Sequence, residues 1–263
     1  MSVNKKSKGL SIFAFLVYFF LLAPLAIIIA TSFGPDKSLI FPPKGFSLKW
    51  MMNIFKIEMF RKTFLISMQL SVIGTIIALI MGIPAAYALS RYNFKGKNFF
   101  NSIFLSPVLI PGIVLGFSLL KYLVIYSKLN VYTSLLIGHV IIIIPYIIRV
   151  ISSSLSTFDY SIEEASMSLG ANKIKTFFVV VLPNIRSGVI AAFILAFINS
   201  FNNVPVSVFL TGPGVSTLPI QMLIHVEYNF DPTIAALSVV LMLMTAILMF
   251  IIERTLGLRY FAK

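Results

Sequence analysis

The stretch EEASMSLGANKIKTFFVVVLPN, residues 163–184, places two carboxylates, a glycine and two lysines in one short segment. Long apolar runs lie on both sides of it, in a chain in which only 11% of the residues are charged. Charge is costly inside a bilayer, so we expect these side chains outside the lipid, where another molecule can meet them. The stretch therefore predicts a polar loop between two membrane spans.

The composition supports a membrane protein. Hydrophobic residues make up 59% of the 263 residues, and the mean hydropathy is +0.99, which exceeds what a soluble core of this size can bury. The formal net charge of +13 does not indicate nucleic-acid binding, because Lys and Arg flank apolar segments and form no basic stripe with interleaved aromatics. The absence of cysteine excludes disulfides, thiolate metal sites and a cysteine nucleophile.

Six apolar stretches are each close to the about 20 residues that a helix needs to cross a bilayer. The first begins soon after three lysines, but its length and the lack of a convincing cleavage site favour a retained span over a secretory signal. We predict an all-α integral membrane protein with a tail over residues 1–9, a six-helix domain over 10–252 and a second tail over 253–263. The predicted spans are residues 10–32, 63–90, 99–126, 131–151, 187–210 and 233–252.

The positive charges favour a cytoplasmic location for both termini. Basic residues precede the first span, follow the second and sixth, and flank the stretch quoted above, whereas the loop 211–232 has no Lys or Arg. The loop 33–62 also contains several lysines, which reduces the difference in positive charge between the two sides of the membrane. In this topology the charged stretch belongs to a cytoplasmic loop over about residues 152–186.

Local chemistry predicts two short helices in this loop. Ser161 and Glu164 have the spacing of a capping box, and Gly170 is placed to end the first helix. Asn172 is a good N-cap for a second helix, which Pro183 should interrupt. An ordinary interfacial hairpin would carry the same features.

The spacing of the stretch resembles the E-A-A-x-x-x-G-x9-I-x-L-P loop (EAA motif) of permease subunits in binding-protein-dependent ABC importers. Glu164 begins the motif, Gly170 takes the glycine position, and Leu182 and Pro183 end it. Ser166 replaces the second alanine and Val180 the isoleucine. Together with the six-span plan, the resemblance covers essentially the whole chain and implies the type I importer permease fold.

The resemblance also implies how the chain works. The loop would be the coupling helix, which docks on a separate cytoplasmic ATPase subunit; ATP and Mg²⁺ would bind to that subunit, and no cofactor would bind to this chain. Further implied partners are a second homologous permease subunit in a heterodimer and an extracytoplasmic substrate-binding protein, in a bacterial inner membrane. The implied coupling residues are Glu163, Glu164, Ala165, Ser166, Leu169, Gly170, Ala171, Leu182 and Pro183.

No catalytic signature occurs in the sequence. It contains no G-x-x-x-x-G-K-[ST] phosphate loop, and His139 and His225 lack the spacing of an H-E-x-x-H zinc site. A lone histidine in a span, such as His139, more often packs between helices than lines a path. We therefore expect a non-catalytic subunit without a metal site.

A second polar cluster lies near the end of the fifth span. Its candidate substrate-path residues are Asn199, Asn202, Asn203, Pro205 and Ser207. Amides within hydrocarbon must find partners, so they face a wet cavity or, alternatively, hold helices together.

The sequence NSFNNVPVSVFLTGPG, residues 199–214, followed by TLP, residues 217–219, resembles permeases that import spermidine and putrescine and related phosphonate, opine and ferric-iron permeases. Polyamine members tend to carry an acidic pair where this chain has Asn202 and Asn203, which attract a polycation less than carboxylates would. We expect polyamine import, and the phosphonate, opine and ferric-iron substrates remain open. An ion-driven secondary transporter is disfavoured, because no span holds a clear carboxylate and no inverted repeat is visible.

Overall fold

The computed structural model describes residues 8–256, and the side chains of residues 9–250. Over this range the chain is helical apart from its connections and one isolated bridge between Gly212 and Val215. The helices, in chain order, are α1 Lys8–Ser32, α2 Lys49–Lys56, α3 Glu58–Arg91, α4 Lys97–Leu109, α5 Gly112–Tyr126, α6 Val131–Thr157, α7 Tyr160–Ser168, α8 Lys173–Asn184, α9 Arg186–Phe201, α10 Ser207–Leu210, α11 Leu218–Tyr228 and α12 Thr233–Leu256.

Helices of spanning length confirm the predicted all-helical membrane architecture. Four continuous helices are long and apolar enough to cross a bilayer, namely α1, α3, α6 and α12. Two bent pairs complete a set of up to six spans: α4 with α5, bent by 102°, and α8 with α9, bent by 73°.

The third and fifth spans differ from their predicted form. The third is broken at Ile110, whose extended backbone (φ −85°, ψ 133°) is the conformation that a following proline, here Pro111, imposes. The fifth was predicted to continue to Leu210, but α9 ends at Phe201. Beyond the break, Asn203 accepts hydrogen bonds from the backbone N–H groups of Val206 and Ser207, and the short helix α10 follows.

The chain divides into two compact units, which are described separately. One contains the described residues up to Arg61 together with Met222–Ala246. In it, the Trp50 indole donates to the Asp36 carbonyl over 3.1 Å, and the Asn53 amide donates to the Thr233 hydroxyl over 3.0 Å. The short helix α2 therefore packs on its own unit through buried Trp50 and Ile54.

The second unit contains Lys62–Gln221 and the described residues from Ile247 onward. Its core is aliphatic, and small residues on α9, such as Ala192 and Ala196, allow close packing against α6. Gly82 of α3 lies so close to Ile147 of α6 that a Cβ atom there would approach Ile147 Cγ2 to 2.8 Å. The core residues include Ala78, Ala86, Ile143, Ile147, Ile151, Leu155, Val181, Ile185, Ala192 and Ala196.

Candidate coupling loop and translocation cleft

Helix α7 begins two residues earlier than a capping box at Ser161 would allow. The N-cap is Asp159, whose Oδ1 accepts a hydrogen bond from the Ser161 backbone N–H over 2.9 Å. This hydrogen bond holds the pKa of Asp159 below its ordinary value. The predicted capping box is wrong, because the Asp159 carboxylate takes the capping role and leaves Ser161 inside the helix.

The predicted glycine corner is confirmed. Gly170 has φ +90°, its N–H donates to the Met167 carbonyl over 3.0 Å, and the Ala171 N–H donates to the Ser166 carbonyl over 3.2 Å. This is the Schellman arrangement, which satisfies the last carbonyls of a helix. Asn172 then caps α8 as predicted, because its Oδ1 accepts from the Lys175 N–H over 2.8 Å.

Helix α8 passes through Pro183 and ends at Asn184, whereas the sequence predicted that Pro183 interrupts it. It contains a wide π-type turn at Phe177–Val181 just before the proline. The Asn184 amide donates to the Val180 carbonyl over 2.7 Å. The sharp bend to α9 follows at Ile185.

Most of the predicted coupling residues are accessible at this corner. Leu169 is 90% exposed, although it is a large apolar residue. Ser166 is partly buried, and its hydroxyl lies 3.1 Å from that of Thr176. The exposed members are Glu164, Ala165, Leu169, Gly170 and Pro183, and the partly buried ones are Ser166, Ala171 and Leu182.

Glu163 differs from the rest of this set, because only 1% of its side chain is exposed. The Tyr87 hydroxyl donates to Glu163 Oε2 over 2.8 Å, and Arg91 Nε lies 2.8 Å from Glu163 Oε1. The latter two atoms lack the alignment of a hydrogen bond, so the contact is an ion pair. Sequence reasoning did not identify Arg91 or Tyr87, because they are distant in the chain and neither belongs to the loop motif.

The second candidate site is a cleft of about 190 Å³ in the Lys62–Gln221 unit. Three of the predicted path residues line it, Asn199, Asn203 and Pro205, and Tyr146 adds a further polar group. The Asn199 amide nitrogen donates to the Leu195 carbonyl over 2.8 Å. The rest of the lining is mainly apolar: Pro107, Val108, Ile110, Gly112, Leu115, Ile142 and Val206.

Asn203 has a structural role as well as a place in the cleft. Its Oδ1 accepts from the backbone N–H groups of Val206, over 3.1 Å, and Ser207, over 3.3 Å. The side chain therefore stabilises the bend at Pro205, after which α10 begins.

Asn202 and Ser207 lie outside the cleft lining. Asn202 is exposed at the end of α9. Ser207 is buried, and its Oγ lies 3.0 Å from His139 Nε2. The other ring nitrogen of His139 lies 2.7 Å from Ser200 Oγ, so this histidine is a satisfied packing residue, as predicted. Within the side chains that the structure describes, no three His, Asp or Glu residues cluster in a way that could hold a metal.

Known transport proteins are similar to this chain over most of its length. The profile of the family described as binding-protein-dependent transport system inner membrane component matches residues 74–260. The putrescine transport system permease protein PotI of Escherichia coli K12 is 31% identical over 230 residues, which cover 85% of this chain and 82% of that protein. The spermidine/putrescine transport system permease protein PotC of Haemophilus influenzae is 29% identical over 233 residues, which cover 89% of this chain and 90% of that protein.

Solved structures agree at the level of the fold. A bacterial ABC transporter that imports alginate matches with a TM-score of 0.70 and 18% identity, over 99% of this chain and 100% of that chain. The MetNI methionine ABC transporter matches with a TM-score of 0.65 and 16% identity, over 77% of this chain and 96% of that chain. The chain therefore belongs to the binding-protein-dependent transport system inner membrane components, as a multi-pass permease subunit of an ABC importer.

Proposed function

We propose that this chain forms part of the translocation path of a polyamine importer in a bacterial inner membrane. A separate ATPase subunit drives it through α7, and a second homologous permease, in a heterodimer, completes the path. An extracytoplasmic binding protein delivers the substrate. The observation that carries the coupling role is the exposed corner at Gly170, where Leu169 is 90% exposed beside the exposed carboxylate of Glu164.

The corner has the chemistry of a protein docking surface. Leu169 and Ile174, which is 71% exposed, flank Gly170 and offer apolar side chains that gain stability when a partner covers them. Glu164 adds a charge that can select a basic group on that partner. The combination fits a groove on a cytoplasmic protein better than it fits lipid.

The orientation is part of this proposal. An even number of crossings places both termini on one side, and the positive-inside rule assigns that side to the cytoplasm. The segment after α6, with α7 and the lysines at the start of α8, Lys173 and Lys175, then lies in the cytoplasm, and the loop 211–232 lies outside.

The cleft favours a cationic or neutral substrate over an anionic one. Its lining contains no Lys or Arg that would neutralise a phosphonate. The Asn199 Oδ1 has no hydrogen-bond partner among the described residues and can accept from an amine. The Tyr146 ring can contact a cation through its face. The relatives named for putrescine and spermidine support the polyamine assignment.

Reconstitution tests the proposal. The chain is co-expressed with its ATPase, second permease and binding protein, and the purified complex is placed in vesicles that contain ATP. We expect uptake of labelled spermidine or putrescine with the complete complex and none with this chain alone. Stimulated ATP hydrolysis with uptake of another ligand in place of both polyamines would refute the substrate. A complex that assembles and transports without any ATPase subunit would refute the coupling.

A further inference from the structure

Helix α7 buries one side chain, and that side chain is charged. Glu163 is the only buried residue among the nine of this helix. Its neighbour Glu164 carries the same charge and is exposed. The two carboxylates therefore face different surroundings, although the sequence presents them as a pair.

The partners of Glu163 both lie at the end of α3. Arg91 is the last residue of α3, and Tyr87 lies one turn earlier; each approaches one carboxylate oxygen to 2.8 Å. Arg91 also donates from Nη2 to the Phe158 carbonyl over 3.2 Å, and its guanidinium lies 5.1 Å from the centre of the Tyr160 ring. One arginine thus contacts the loop before α7 and the first turn of α7.

Tyr87 extends the contact to α8. Its ring packs edge to face on Phe177, with 5.0 Å between the ring centres. By comparison, the direct side-chain hydrogen bond between the two loop helices is the Ser166 to Thr176 hydroxyl pair. The end of α3 is therefore in contact with both loop helices.

We infer that Glu163, Arg91 and Tyr87 form the joint through which a movement of α7 is transmitted to α3. Glu163 is a positioning residue that faces inward, and the ATPase contacts Glu164 and Leu169. The inference rests on the proposed docking of an ATPase at α7.

A buried ion pair suits such a joint better than it suits simple anchoring. Apolar residues of similar volume often stabilise a protein as well as a buried pair does, because both charges must be desolvated. The pair gives a contact that depends on orientation: Glu163 must keep both oxygens in place for α7 to move with α3. Loss of one partner leaves the other charge buried and unpaired.

The central experiment compares two adjacent substitutions of identical chemistry in the assembled importer. Glu163→Gln should keep the ATPase at the unmodified ratio and lower uptake per ATP hydrolysed about tenfold, which is within the usual range of coupling between sites. Glu164→Gln should instead lower the amount of ATPase that copurifies. Tyr87→Phe and Arg91→Lys supply milder variants of the same joint if Glu163→Gln inserts poorly, and both should lower uptake per ATP in the same direction.

A distance measurement separates transmission from folding. The chain has no cysteine, so spin labels at Ile162→Cys on α7 and Asn93→Cys just beyond α3 are unique within this chain, and the other subunits are used as cysteine-free variants. Both positions are exposed. We expect the distance between the labels to stay constant when ATP binds in the unmodified complex. It should change on ATP binding when Glu163→Gln is added, because α7 then moves without α3.

Two results would overturn the inference. In one, Glu163→Gln retains normal uptake per ATP and a constant label distance; in the other, it loses ATPase to the same extent as Glu164→Gln. Restoration by the exchanged pair Glu163→Arg with Arg91→Glu would support a direct coupling between the two groups. Failure of the proposed function looks different, because the unmodified complex would then recover no ATPase or Glu164→Gln would have no effect.

Discussion

The asparagines near the end of α9 differ in their surroundings, although they lie close together in sequence. Asn199 lines the cleft and keeps its Oδ1 free of hydrogen bonds within the described residues. Asn203 lines the cleft and caps the following turn. Asn202 is exposed and outside the cleft. This arrangement supplies matched variants that separate substrate contact from solvation.

Asn199→Leu should lower polyamine uptake by about two- to tenfold, because one hydrogen bond to an amine, worth about 0.5–1.5 kcal/mol, is lost from the path. Asn202→Leu is the matched control and should leave uptake unchanged. The measurement is the initial rate of labelled spermidine uptake at equal amounts of assembled complex. Equal rates for the two variants would assign Asn199 to helix packing.

Asn203→Asp should improve uptake of a polycation. The carboxylate keeps the acceptor that Val206 and Ser207 use, so the bend is retained, and the added charge attracts an amine while it repels a phosphonate. We expect a lower KM for spermidine with little change in the recovered complex. Asn203→Leu is the comparison, and it should also lose the cap, at a cost of about 0.5–2 kcal/mol. A raised KM for spermidine in Asn203→Asp would contradict a cationic substrate.

At the scale of the element, the loop between α6 and α9 shows which features are readable from sequence. Gly170 and Asn172 were predicted correctly, because a Schellman corner and an N-cap depend on residues that are adjacent in the chain. The capping box was wrong because Asp159, two residues earlier, caps the helix and leaves Ser161 in its first turn. The burial of Glu163 could not be predicted, because it depends on Arg91 from another helix.

Gly170→Val should weaken ATPase docking through backbone strain alone. No atom lies within 4 Å of where a Cβ would be placed, but the φ of +90° is unfavourable for a side chain. A residue forced into the left-handed region costs roughly 1–2 kcal/mol, and a β-branched one is among the least tolerant. Gly170→Asn is the control, because asparagine adopts this region more readily. We expect copurified ATPase to fall for valine and to be retained for asparagine; a fall for both would implicate the surface of the corner instead of its backbone.

At the scale of the whole molecule, span positions were predictable and span shapes were not. The length of an apolar run is a property of the sequence itself, and all six runs became helices. The breaks have local causes at Pro111 and Asn203, but the contact between the broken spans depends on the folded chain. A Cβ atom on Gly116 of α5 would lie 2.8 Å from the Pro205 carbonyl oxygen, so the two broken spans meet at a contact that requires glycine. That contact adjoins the cleft, which Pro205 and Gly112 line, and no local pattern encodes it.

The proposed orientation of the whole chain can be tested by labelling single introduced cysteines, because the chain has no cysteine of its own. Leu169→Cys lies in the loop proposed to be cytoplasmic, Phe46→Cys and Tyr228→Cys lie in the two long loops proposed to be external, and all three positions are at least 75% exposed. A membrane-impermeant maleimide added to intact cells, from which any outer membrane has been removed, should label Phe46→Cys and Tyr228→Cys and spare Leu169→Cys. Permeabilised cells that express this chain without the ATPase subunit serve as the control, because all three should then react. Labelling of Leu169→Cys alone in intact cells would invert the topology and place α7 where no ATPase can reach it, so the docking proposal would fail with the orientation.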